Sequence, residues 1–246
     1  MNGILANLLR ELRAYFFSPL AYVVMTLMLL VNGYVFVLIV SFLNDPRVQV
    51  GAPLELFFGQ TIFFWAVVLL FAPALTMRLV SEERRSGTIE VLMTAPVSEA
   101  QVVVGKYLAA FCFYLFLWSP TFLYAGILDY YGDVAWGPVL SGFLGVMGVG
   151  ALFLAVGTFA SVLTRNQLVA AILAFVLLTL LFSVGLLESL ASGEAARETL
   201  DYLNLWRHMD DFGKGIVDTR HLVYYLSGAV FFLFLATRAL AVNKWR

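Results

Sequence analysis

Charge is what this sequence has least of. Asp, Glu, Lys and Arg make up 13% of its 246 residues, against about a quarter in a soluble domain. That scarcity excludes a soluble globular protein, and the 62% of hydrophobic residues places most of the chain in a bilayer. Cysteine is nearly absent as well. A lone Cys112 forms no intramolecular disulfide and leaves the redox compartment open. No G-x-x-x-x-G-K-[ST] phosphate loop occurs, and Gly213-Lys214-Gly215 lacks the upstream glycine, so no Walker-type ATP site is expected. His208 and His221 have no Cys-x-x-Cys or His-x-x-x-His near them. With Asp210, Asp211 and Asp218 they read as solvated polar residues, not a metal site. No short apolar core with a small-residue cleavage site opens the chain, so a cleaved signal peptide is not expected. Nothing points to nucleic acid or to a cofactor of the chain's own.

Long apolar runs are abundant. Uncharged stretches cover 14–44, 56–77, 107–128, 134–164, 166–187 and 222–237. A spanning helix needs about 20 apolar residues. The pattern therefore predicts an all-α integral membrane protein with six transmembrane helices in a single domain, 1–246. The two stretches of 31 residues exceed a simple span, and each is expected to include an interfacial or kinked portion. The last stretch has only 16 residues between charges; snorkelling of Arg238 and His221 would extend it. No charged residue falls within the core of any span, where proton relays and ion-coupled carriers place theirs. Asn32, Gln60, Thr61, Ser119, Thr158 and Ser161 read as helix–helix hydrogen bonding.

Six crossings put both termini on one side. Lys and Arg number ten in the N-terminus, 78–106, 163–167 and the C-terminus, and five in 44–55, 129–133 and 188–221. Acids lean the other way, 5 against 11. The positive-inside rule makes both termini cytoplasmic. Tyr130, Tyr131 and Trp136 outside, and Tyr107 and Trp245 inside, stand where an aromatic belt belongs.

A separate amphipathic segment precedes the first span. Ile4, Leu5, Leu8, Leu9, Leu12, Tyr15 and Phe16 recur at helical spacing, with Asn2, Asn7, Arg10 and Arg13 on the other face. This predicts a helix over 1–17 lying in the cytoplasmic interface, broken at Ser18-Pro19. It serves either as a topogenic anchor or also as a partner contact. In the fourth stretch Gly137, Ser141 and Gly145, then Gly157 and Ser161, follow small-xxx-small spacing, which suits the protein's own bundle first and a dimer second.

Charge returns in one island, 78–106. Glu82, Glu83, Arg84 and Arg85 continue the second span into water. Gly87 marks a helix boundary with Glu90 three residues on; Ile89, Leu92 and Met93 line one face, and Pro96 stops the helix. Two turns are too few to stand alone in water. Ser98 with Gln101 forms a capping box, and Val97 with Val102 a hydrophobic staple, so a new helix starts at Ser98 and runs past Lys106. The joining element reads either as a docking device or as a solvated loop with ordinary helix ends.

Ser81-Glu82-Glu83-Arg84-Arg85-Ser86-Gly87-Thr88-Ile89-Glu90-Val91-Leu92-Met93-Thr94-Ala95-Pro96-Val97-Ser98 resembles the E-(R/K)-x-x-G-T-(I/L)-E-x-L-x-(T/A)-x-P-(V/I)-S stretch of ABC-2 type permeases. The likeness is to the gliding-motility-associated and nitrous-oxide-reductase-maturation group in particular. Glu11–Pro19 leading into Ala21-Tyr22, and Phe212–Arg220, are similar to it as well. The resemblance implies an ABC-2, type V exporter-like permease in the bacterial inner membrane. It implies pairing with a second permease chain, itself or a paralogue, and with two cytoplasmic ATP-binding-cassette ATPases that bind the ATP. It implies a coupling helix at about 88–94, with Glu82, Glu83, Arg84, Gly87, Thr88, Ile89, Glu90, Leu92, Met93 and Pro96 as the coupling residues. It also implies a connecting helix, 4–17, carrying Leu8, Arg10, Leu12 and Arg13, and short external helices in 188–221 capping a pathway. The chain would be a non-catalytic subunit for export or mechanical work. A non-transporting scaffold or assembly factor, or a lipid-modifying intramembrane enzyme, is the competing assignment; the enzyme would want clustered Asp, Asn or His near a membrane face.

Overall fold

The computed structural model describes residues 3–43, 57–59, 61–88, 98–132, 134–185 and 194–243. Among them the chain is helical throughout, in the order α1 (Gly3–Phe16), α2 (Pro19–Leu43), α3 (Ile62–Thr76), α4 (Ser81–Ser86), α5 (Glu99–Trp118), α6 (Pro120–Tyr131), α7 (Trp136–Leu163), α8 (Gln167–Ser183), α9 (Glu194–Tyr202), α10 (Leu205–Gly213) and α11 (Thr219–Asn243). Five segments are long and apolar enough to cross a membrane: Ala21–Phe42, Ile62–Ser86, Glu99–Tyr131, Trp136–Leu163 and Thr219–Val242. A sixth apolar helix, α8, is shorter. Length is thus distributed differently from the sequence pattern. The last stretch, expected to be the weakest, is a 25-residue helix because Thr219–His221 and Arg238–Asn243 join it at its ends. The stretch that falls short is 166–187, whose helix gives way to a tight turn at Val184 and Gly185.

The first 31-residue stretch divides as its Ser18-Pro19 pair requires. Proline has no N–H to donate to a preceding turn, so α1 stops at Phe16 and α2 starts afresh at Pro19. The fourth stretch does not divide. α7 is one unbroken helix of 28 residues, a length that a tilted span accommodates without a kink. The third span begins early. The Ser98–Gln101 capping box forms from both sides, so α5 carries Lys106 down into the bundle and continues through Ser119 into α6. Val97, the expected staple residue, lies outside the described residues.

α7 is the axis of the fold. Its glycines and small hydroxyl residues face neighbours within the same chain. Gly145 faces Met209 and Phe212, Gly148 faces Tyr225, Gly150 faces Tyr114 and Gly157 faces Thr76. A Cβ at Gly145 would stand 2.8 Å from both Met209 and Phe212, so a side chain there collides with α10. The small-xxx-small face is therefore spent on internal packing, with Gly137 the one member that touches nothing. Ser161 donates to the Met77 carbonyl at 3.1 Å and accepts from the N–H groups of Val80 and Ser81. It fastens the far end of α7 to the turn between α3 and α4.

Candidate functional site

The amphipathic helix α1 docks with a face that joins its apolar residues Leu8, Leu12 and Tyr15 to two polar ones, Asn7 and Glu11. Asn7 and Tyr15 are buried and Glu11 half-buried, whereas Leu5, Leu9, Phe16 and Phe17 are exposed. Asn7 was placed with Arg10 and Arg13 on a solvated face. It is buried instead because Gly105 of α5 has no side chain there, and a Cβ at Gly105 would stand 2.9 Å from the Asn7 side chain. So α1 has three faces. One packs on the bundle, one is apolar and outward, and Arg10 and Arg13 take the third.

Tyr15 is the first anchor. Its hydroxyl donates to the Leu75 carbonyl at 2.5 Å, its ring stacks on Phe113 with centroids 5.0 Å apart, and the Arg78 guanidinium lies 5.9 Å from the ring centre. Burial, followed by the Glu11 charge, pushes its phenol well above the ordinary range, so it remains a donor at any physiological pH.

The second anchor is ionic. Lys106, 1% exposed, places its Nζ 2.7 Å from Glu11 Oε1 and 2.9 Å from Glu83 Oε1. Arg10 reaches the same two oxygens, at 2.9 and 2.8 Å. Four charges on three elements, α1, α4 and α5, thus close a ring with no net charge. An ammonium taken out of water demands such partners. Burial by itself would raise the Glu11 carboxyl, but Lys106 and then Arg10 outweigh it and hold Glu11 below its usual 4.5.

The sequence-predicted coupling residues divide around this junction. Glu83 turns inward to Lys106, and Arg84 reaches across to the Val162 carbonyl at the end of α7. Glu82 and Arg85 stay exposed. Gly87 closes α4 in the left-handed region at φ 73°, so it ends the upstream helix, as glycine does after a last turn. It had been read as opening the next helix. Thr88 is exposed, its hydroxyl 2.9 Å from that of Ser86. Ile89, Glu90, Leu92, Met93 and Pro96, and with them most of the 88–94 helix, lie outside the described residues. On α1, Leu8 and Leu12 are half-buried while Arg13 is exposed.

Sequence reasoning missed Glu11, Tyr15, Arg78 and Lys106 as a unit. A signal existed for Lys106. Val102, Val103, Ala109 and Ala110, its helical neighbours at three and four residues, are all apolar, so a helix starting at Ser98 places this lysine on its buried stripe. Nothing in the linear pattern named its carboxylates, which lie 95 and 23 residues away.

A cleft of about 510 Å³ opens beside the ring, lined by Glu11, Ala14, Tyr15, Arg78, Leu79, Glu82, Glu83, Lys106 and Gln167. At the opposite end of α7, α10 buries Leu205, Met209 and Phe212, and Ser141 donates to the Phe212 carbonyl at 2.6 Å. The two histidines there are not solvated, contrary to the sequence expectation. Their rings stack with centroids 4.0 Å apart, and His221 Nε2 meets Asp211 at 2.9 Å. Burial, then the neighbouring His221, holds the His208 imidazole down to about 4 from its ordinary 6.5. They are enclosed because α10 is amphipathic and its apolar side, which includes His208, sinks into the bundle.

A family model described as "ABC-2 family transporter protein" matches residues 43–206, two-thirds of the chain. Its range takes in α3–α9 and the whole 81–98 stretch, while α1, all but the last residue of α2, most of α10 and all of α11 fall outside it. The match is to the family at large and does not single out the gliding-motility grouping. Among curated proteins none matches the chain.

Proposed function

Because this chain belongs to the ABC-2 family of transporter proteins, a multi-pass membrane family of transport subunits, we propose that it is the permease half of an ATP-driven machine. Hydrolysis would take place on a separate cytoplasmic ATP-binding-cassette subunit. The family match over residues 43–206 carries this reading. The junction around Lys106 supports it: the segment joining α4 to α5 has both its roots clamped to each other and to α1 through Glu83, Glu11 and Arg10. A force applied to that segment would reach the second and third spans together. The 88–94 segment is the proposed docking element, with Ile89, Leu92 and Met93 as its apolar contacts and both termini cytoplasmic. Two ATPases and two permease chains complete the machine, since such motors close as dimers. Whether the work is export or mechanical transduction, the coupling step is the same.

The test is co-purification with the ATP-binding-cassette protein of the adjoining gene. Leu92→Asp is expected to abolish capture while leaving membrane insertion intact, and native mass spectrometry of the wild-type complex is expected to show two permease chains for two ATPases. Unchanged capture by Leu92→Asp, or an ATPase-active complex with one permease chain, overturns the corresponding part. Orientation is tested separately in a Cys112→Ser background. Glu198→Cys should react with an impermeant maleimide in intact cells and Ser86→Cys should not.

A further inference from the structure

We propose that the cleft beside the Lys106 ring is a binding site for a phospholipid headgroup of the phosphoethanolamine type. The site goes beyond the coupling role and does not depend on it. Within the cleft, Glu11, Glu83, Lys106 and Arg10 satisfy one another. Two charges are left over. Among the described residues Arg78 has only the face of Tyr15, and Glu82 has no ion-pair partner. Both line the cleft, and among the described residues no ion pair joins them. A cation and an anion lining one cleft suit a zwitterion, with its phosphate on Arg78 and its ammonium on Glu82.

Position on the molecule favours a lipid. Arg78 follows the end of α3, Lys106 lies in the second turn of α5, and Gln167 opens α8. The cleft is therefore at the level where three apolar helices end, the depth of headgroups. Its volume of about 510 Å³ accommodates a headgroup. Ala14 and Leu79 give it an apolar lip. α1, which lends Glu11, Ala14 and Tyr15 to the cleft, also carries the exposed Leu9 and Phe17, apolar surface for acyl chains.

The full-length protein, purified in detergent, is titrated with dioleoyl phosphatidylethanolamine, with the matched phosphatidylglycerol and with tail-less phosphoethanolamine, and bound ligand is counted by native mass spectrometry. Wild type is expected to hold the phosphatidylethanolamine about tenfold more tightly than Arg78→Gln or Glu82→Gln, the loss of one charge-assisted contact. Arg78→Lys should recover part of the loss. Phosphatidylglycerol should bind wild type more weakly, and Glu82→Gln should not weaken it further. If Arg78→Gln does not fold, Glu82→Gln carries the test, because that side chain is exposed and unpaired. Equal retention of phosphatidylethanolamine by the variants, or phosphatidylglycerol bound as tightly by wild type, overturns the site. Tight capture of tail-less phosphoethanolamine would mark a soluble ligand and overturn the lipid assignment.

Discussion

At one end of α7 a peripheral helix is fastened by charge, and at the other by apolar shape. α1 is held by a four-membered ion-pair ring and by Tyr15. α10 is held by Met209 and Phe212 seated on Gly145, by Ser141, and by two stacked imidazoles. The two fastenings differ in what they resist. Apolar packing is non-directional and fails when volume changes. A charge ring depends on its buried member, since removing Lys106 strands Glu11 and Glu83. The end that is proposed to receive force thus carries the all-or-none connection, and the opposite end carries a packed plug.

The largest expected effect comes from breaking the ring at its centre. Lys106→Met leaves Glu11 and Glu83 facing each other, with only the half-exposed Arg10 between them. It should lower stability by about 3–5 kcal/mol, read as a fall in the denaturation midpoint of the detergent-solubilised protein. Replacing all three at once, with Glu11→Leu, Glu83→Leu and Lys106→Met, should recover most of that loss, because a well-packed apolar substitute is often neutral. No recovery would mean that the ring is not the fastening.

At the other end, Gly145→Leu should cost about 1–3 kcal/mol by overpacking against Met209 and Phe212. Met209→Ala in the same chain should relieve part of it. Equal costs in both backgrounds would show that α10 does not seat on Gly145.

Acidity should separate the two ends. His208 is neutral in the fold, its pKa held down to about 4, so its stabilisation is complete above the unfolded value near 6.5 and is lost as pH falls from there toward 4. Between pH 7.5 and 5 the cost approaches about 2 kcal/mol, and His208→Phe should flatten the profile. Glu11 loses its contribution in a lower pH window. Its pKa is lowered from 4.5, so its contribution is present above 4.5 and disappears only as pH falls through the lower folded value. Hydrogen exchange should therefore show α10 loosening at a pH where α1 is still protected.

The smallest effect is reserved for Arg10. Its side chain is 51% exposed, and rim ion pairs contribute about 0–1 kcal/mol. Arg10→Gln should be near-neutral in stability. A loss as large as that of Lys106→Met would show that charge balance, not burial, governs the ring.

The spans were legible in the sequence because a bilayer demands runs of apolar residues and positions charge by topology. The Ser18-Pro19 break and the Ser98–Gln101 box were legible because caps and prolines act through their immediate neighbours. The junction was not. Glu11, Glu83 and Lys106 meet only after three helices assemble, and on the linear pattern each reads as an ordinary interfacial charge. α1 shows the same limit. Its apolar stripe was visible, but which face docks was decided by the missing side chain of Gly105 and by the hydroxyl of Tyr15. His208 and His221 read as solvated because they follow a charged stretch, and only the seating of α10 on α7 buries them.

In the proposed machine α1, α4 and the start of α5 move as one body, held by Lys106, when the ATPase works. Double electron–electron resonance on the permease–ATPase complex tests it most directly, with spin labels at Arg13→Cys and Ser86→Cys in a Cys112→Ser background. One narrow α1–α4 distance distribution is expected, the same without nucleotide and with ATP trapped, and broadened in Lys106→Met. A distance that changes with nucleotide in the otherwise wild-type protein, or one that Lys106→Met leaves narrow, would contradict it.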